Sequence, residues 1–298
     1  MGTGIVSIAL LSDRSETVSR VLLVIAAVVW AALGLVLAGR GLRDRERVQR
    51  EARSPAALTG VAATAVLGAR LTLLGWAWAG IALLAIALCL WLVLLGPVLR
   101  NWLTPTDGSS LVLTVSTESL AVLSVALAVR ERAHWLLYPA LIAFVVGLAS
   151  YVFVIARFDL RQLTAGRGDH WITGGALAIA TLAAGDITIG AHSLHELIGL
   201  SPTLKAVSVG LWVLTIGWLP VLLATEALRP RLVYDARRWG TVFPVGMYAA
   251  CSFTVGTAAG APAITDFARV WVWVALLLWV LVFAAMLGRG RELLRSQP

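Results

Sequence analysis

Charge is what this 298-residue chain has least of: 13% of its residues are charged, against roughly 25% in an ordinary soluble domain. A conventional soluble domain is excluded, because too little charge is available to cover its surface. Cysteine is almost absent too. Cys89 and Cys251 both fall inside apolar runs, which excludes a disulfide framework or a cysteine-based zinc site. Catalytic signatures are also lacking. There is no nucleophilic triad or phosphate-cradling glycine loop, and Gly2-Thr3-Gly4 stands in no Walker context. His192, His195 and Glu196 cluster at the end of an apolar run and read as solvated loop residues, while His134 and His170 belong to other loops. No metal and no cofactor are expected.

Apolar sequence is what the chain has in abundance, at 59% of residues. It falls into ten segments, near Met1–Ser12, Thr17–Gly39, Pro55–Leu74, Trp76–Leu99 and Ser110–Val129, then His134–Ala156, Trp171–His192, Pro202–Leu228, Trp239–Gly256 and Thr265–Gly288. About 20 apolar residues span a bilayer core, and a chain in lipid satisfies its own backbone as helix. The expected fold is therefore an all-α polytopic membrane protein, a single domain over residues 1–298. The first segment, with 12 residues, covers only about 18 Å of a roughly 30 Å core. Either it is re-entrant or, the favoured expectation, it is a truncated helix.

The formal net charge of +8 does not point to nucleic acid, because the basic residues sit in short loops beside the apolar segments. Seventeen Lys and Arg follow the even-numbered segments and six lie at the other mouth, so the even segments are expected to exit to the cytoplasm of a plasma-membrane protein. The densest run, from Gly39 to Ser54, carries Arg40, Arg43, Arg45, Arg47, Arg50 and Arg53. It suits a solvated, partly helical loop beside anionic lipid headgroups.

The segments alternate in kind. Even ones are rich in Leu, Val, Ile and Trp, whereas odd ones carry small and hydroxyl residues at steps of three and four. Gly60, Thr64 and Gly68 mark the third; Thr114, Thr117, Ala121 and Ser124 the fifth; Gly174, Ala178, Thr181, Gly185 and Thr188 the seventh. Such spacing collects them on one helical face. Tight helix packing in lipid uses the same stripe, but the strict alternation favours an inner ring of odd helices around a pore, built as five hairpins.

Four further residues stand out. Glu118 and Asp186 are carboxyls at membrane depth, where an ionisable group usually faces a cavity or a partner; both are candidates for proton or ion coupling. Arg70, near the outer end of the third segment, is a candidate for anion attraction. Pro244 is expected to kink the ninth segment and to hold Phe243 at the bend, as a ring that could plug the path. Glu226, three residues before Arg229, is expected to pair locally.

These residues resemble the tellurite-resistance/C4-dicarboxylate transporter family of the voltage-dependent anion channel superfamily, which includes slow-type anion channels and malate and sulfite transporters. The resemblance rests on Met1 to Ala9, Thr117 to Leu123, Trp171 to Ala178 and above all Trp239 to Tyr248. It implies five helical hairpins around a central pore lined by odd helices, with Gly2 and Gly4 on the first, and often a homotrimer. It also implies an occluding Phe on the ninth helix, matched to Phe243, with Phe253 as fallback. Two departures are evident. Glu118 stands where the family has a neutral Gln, and only segment nine among the odd ones has a mid-span proline. The implied function is transport of small anions, C4-dicarboxylates such as malate or oxyanions such as sulfite and tellurite. A proton-coupled exporter using Glu118 is the alternative, and an intramembrane enzyme the remote one.

Overall fold

The computed structural model describes residues 1–166, 168–230 and 234–295. Arg167 and Arg231, two of the basic residues counted above, lie outside the described residues. Eleven α-helices are present among the described residues: α1 (Gly2–Ser12), α2 (Glu16–Arg43), α3 (Arg45–Glu51), α4 (Thr59–Leu74), α5 (Ala77–Arg100), α6 (Val112–Glu131), α7 (Leu137–Ile155), α8 (Trp171–Leu194), α9 (Ser201–Leu228), α10 (Trp239–Ala259) and α11 (Pro262–Arg295). Nine are long and apolar enough to cross a membrane, and α1 is an apolar helix of 11 residues. The protein is an all-α polytopic membrane protein. The Arg-rich run is helical in part, as α3, whose N-terminus is capped by Asp44 accepting from the Arg47 amide at 2.9 Å.

Each segment of odd number folds back on the next through the same turn. The chain leaves α1, α4, α6, α8 and α10 through one left-handed residue: Arg14, Gly75, Arg132, His195 and Gly260. The amide that follows then reaches back five residues to a helical carbonyl. These bonds are Ser15 to Leu10, Trp76 to Leu71, Ala133 to Ala128, Glu196 to Ala191 and Ala261 to Gly256, all between 2.9 and 3.0 Å. This is the Schellman closure, which satisfies the carbonyls a helix end leaves open. Glycine occupies the left-handed position in only two of the five, so the repeat is hidden in sequence.

The hairpins sort into two layers. The spans containing α4, α6, α8 and α10 are 61 to 89% buried over their most apolar stretch, whereas those containing α2, α5, α7, α9 and α11 are 11 to 28% buried. Inner helices touch in the order α1, α4, α6, α8, α10 and back to α1, which closes a ring. The short turns lie at one end, the short-loop mouth, and the longer Arg-bearing connections at the other, the Arg-rich mouth. At about 16 Å, α1 covers only part of its stave. Toward the Arg-rich mouth, a lateral cavity of about 420 Å³ opens beside Met1, Thr3 and Gly4, bounded by Trp30 and Leu33 of α2 and Gly60 and Thr64 of α4.

Tryptophans lock the layers. Indole N–H groups need an acceptor when held in apolar surroundings. Trp30 of α2 donates to Thr64 of α4 at 2.9 Å, Trp91 of α5 to Thr117 of α6 at 3.0 Å, Trp212 of α9 to Ser252 of α10 at 2.8 Å and Trp279 of α11 to Thr3 of α1 at 3.0 Å. In every case the outer helix of one hairpin reaches the inner helix of the next. At the α7 seam Tyr151 instead accepts from Trp218 of α9 at 3.1 Å.

Candidate functional site

Flanking contacts fix which face of each inner helix looks into the ring. On α10, Gly246 abuts Ile5 and Val6 of α1, and Pro244 abuts Gly175 of α8. The face between them carries Phe243, Met247, Ala250 and Thr254. Phe243 and Thr254 are 11 residues apart, three turns of helix, and so share that face. Thr254 lines an axial vestibule of about 360 Å³ to which all five inner helices contribute: Ile8 and Ser12, Ala69 and Thr72, Val122 and Ala126, Leu182 and Asp186, and Thr254 itself. The same faces continue toward the Arg-rich mouth as Ala62, Ala65, Val115, Ile179, Met247 and Phe243, none more than 1% exposed. The ring thus encloses a polar-rimmed vestibule above a closed apolar stretch that includes Phe243.

Asp186 is the acidic group in the vestibule, which Thr254 also lines. Arg130 stands at the rim. A second cavity of about 450 Å³, lined by Ser12, Asp13, Arg14, Phe253, Thr254, Thr257 and Arg269, shares Ser12, Ile189 and Thr254 with the vestibule and continues it to the short-loop mouth. The fallback Phe253 therefore belongs to the mouth.

The small-residue stripes run elsewhere. Thr64 and Thr117 take their bonds from the outer-helix tryptophans, and Thr181 shares a hydrogen bond of 2.9 Å with Thr215 of α9. Gly68 lies against Leu83 of α5 and Leu123 of α6, Gly174 against Leu222 and Tyr248, Gly185 against Thr254 and Val255. Gly60 borders the lateral cavity, and Thr188 a cavity shared with α9 and α10. Gly2 packs on Val242 and Gly4 on Val66, in the seams beside α1. Thr114, Ala121 and Ser124 keep roughly the phase of Thr117, and Ala178 is fully buried. Most of these residues thus lie on surfaces where helices approach closely, and the faces turned into the ring carry Ala, Val, Ile, Met and Phe.

Glu118 and Arg70 are displaced from their expected places as well. The Glu118 carboxyl is fully buried, with neither oxygen hydrogen-bonded, and lies against α7, where a Cβ on Gly147 would stand 2.5 Å from Oε1. Gly147→Ala is therefore expected to lower stability by about 1–3 kcal/mol through overpacking. Thermal unfolding in detergent checks this, and Glu118→Ala in the same chain should restore the melting temperature. Arg70 is fully buried and absent from the mouth. Its Nε donates to the hydroxyls of Ser7 and Ser19, both at 3.2 Å, one nitrogen donates again to Ser19 at 2.9 Å, and the other terminal nitrogen has no partner.

Two peripheral groups complete the picture. Glu226 accepts from the Trp171 indole at 3.0 Å and from Arg238 at 3.4 Å, tying α8, α9 and the start of α10 at the Arg-rich mouth. Glu196 meets His134 at 3.2 Å and Tyr138 at 3.3 Å, which ties down the α8–α9 turn.

A ring of five inner helices inside an outer layer, with a vestibule at one end, defines a two-layered polytopic membrane protein. The family model for the voltage-dependent anion channel matches residues 1–287, and the chain belongs to that family. Among curated proteins, an uncharacterised membrane protein of Mycobacterium tuberculosis, in strains CDC 1551 and H37Rv, is 32% identical over 123 residues, which is 40% of this chain. The match spans 62% of those relatives' length. No solved structure matches significantly.

Proposed function

We propose that the protein moves small anions along the axis of its inner ring, from the short-loop mouth through the vestibule and past Phe243. The carrying observation is that Phe243 and Thr254 share the ring-facing side of α10 while Thr254 lines the vestibule. The hydroxyl of Thr254 and the rim arginine offer donors to an anion without selecting its shape, which suits malate, sulfite, tellurite or a halide. The Arg-rich mouth is assigned to the cytoplasm of the plasma membrane, with its Arg run beside anionic lipid headgroups. Subunits are expected to assemble as trimers, one path in each.

Proton coupling is the second reading, and the position of Asp186 inside the vestibule favours it. The deciding experiment is uptake by proteoliposomes across malate, sulfite, tellurite, nitrate and chloride, with and without a proton gradient. Uptake of at least one anion above empty vesicles is expected. No uptake of any would sink the transport reading, and uptake indifferent to the gradient would sink coupling.

A further inference from the structure

Arg70 is a cation buried inside the ring wall that the axial path does not touch. Ser7 Oγ donates to the Ser19 carbonyl at 2.7 Å, and Ser19 Oγ donates to the Ser7 carbonyl at 2.6 Å. Each hydroxyl proton is thus committed to a backbone oxygen, and the lone pairs are left to accept from the guanidinium. The pocket is built to hold Arg70 with neutral acceptors. Among the described residues no carboxylate pairs with it. Glu16 and Arg20, whose charges act on it, form an exposed ion pair at 2.6 Å and so largely offset each other. An arginine keeps its charge in proteins, and burying a charge without a counter-ion is costly. A structural tie between α1, α2 and α4 would be cheaper with a neutral side chain.

The location suggests what the retained charge does. Ala69, adjacent to Arg70, and Ile8, adjacent to Ser7, both line the vestibule, and so does Thr72. The guanidinium therefore stands one helix wall behind the vestibule, where screening by salt is weak. Resting on the anion-path reading above, we infer that Arg70 is a positioning residue for anions: its uncompensated charge raises anion occupancy of the vestibule through the wall, without contact.

The test is the concentration dependence of chloride and malate uptake in proteoliposomes, for variants that elute as monodisperse protein. Arg70→Gln removes the charge. Ser19→Asp leaves Arg70 in place but supplies a neutralising carboxylate. Both are expected to raise the half-saturating anion concentration about tenfold with little change in maximal flux. Arg70→Lys keeps the charge and is expected to stay within about twofold of the native value. A merely structural role predicts the opposite split, with fewer active molecules at unchanged half-saturation. Unchanged half-saturation in a folded neutralising variant overturns the inference alone, whereas absence of uptake by the native protein overturns the transport reading and this inference with it. If neither neutralising variant folds, Arg70→Lys decides through pH: a buried lysine loses its charge as pH rises whereas arginine does not, so a half-saturation that rises with pH in the variant beyond the native profile supports a role of charge, and parallel profiles overturn it.

Discussion

Phe243→Ala is expected to raise anion flux on the order of tenfold or more, because it removes the bulkiest side chain from an apolar stretch whose barrier depends on excluding water. Phe243 is 1% exposed and sits with Met247, Val115 and Ile179 below the vestibule. Because the side chain is buried, its loss is also expected to cost about 3–5 kcal/mol of stability. Phe253, on the mouth cavity, is the control: Phe253→Ala should leave flux within about twofold. Flux assays on vesicles loaded with equal amounts of folded protein check both. A folded Phe243→Ala protein with native flux, or a larger gain from Phe253→Ala, would remove Phe243 as the gate.

Asp186→Asn should have an effect of similar size, visible in its pH dependence. An ionised carboxylate about 8 Å from a passing monovalent anion, at an effective dielectric near 20, raises the barrier by ~2 kcal/mol, about thirtyfold in rate. Protonation removes that repulsion, so native flux is expected to rise as pH falls, and the Asn variant should be fast at every pH. The charged groups around Asp186 are Arg130 at the vestibule rim, Arg70 behind the vestibule wall, and Asp13, Arg14 and Arg269 in the adjoining mouth cavity. The arginines stay charged throughout, so Asp13→Asn is the control and should retain the native profile. Glu118→Gln should do the same, because its carboxyl lies against α7. If Glu118→Gln abolishes the pH dependence and Asp186→Asn keeps it, the coupling group is Glu118 instead.

The layering was legible because it is a matter of composition: segments rich in Gly, Thr and Ala became the buried helices, and those rich in Leu, Val and Trp the exposed ones. The direction of the stripes was not. Helical spacing fixes which residues share a face, but a stripe that faces a pore and one that faces a neighbouring helix have the same period. Trp30, Trp91, Trp212 and Trp279 carried the missing signal. Each lies well inside an even segment, where an indole N–H has no water to bond, and the threonines and serine of the odd helices are their acceptors. That assigns the hydroxyl stripes to the outer layer and leaves the axis to Ala, Val, Ile and Phe. Asp186 stood one residue beside the stripe glycine Gly185, and that 100° of rotation places it in the vestibule.

The bond from Trp279 to Thr3 joins residues 276 positions apart, and this sets the order of events during biogenesis. The other three tryptophan ties link neighbouring hairpins and can form as soon as the second hairpin of each pair has left the translocon. The last cannot form until α11 has been synthesised and inserted. Until then α1 and α10 can meet only through the apolar contacts of Gly2, Ile5 and Val6 with Val242 and Gly246, and Thr3 is left facing lipid or whatever insertion factor shields it. Quality control that recognises unassembled membrane segments would have its longest opportunity there, and substitutions at Trp279 should act chiefly by prolonging it.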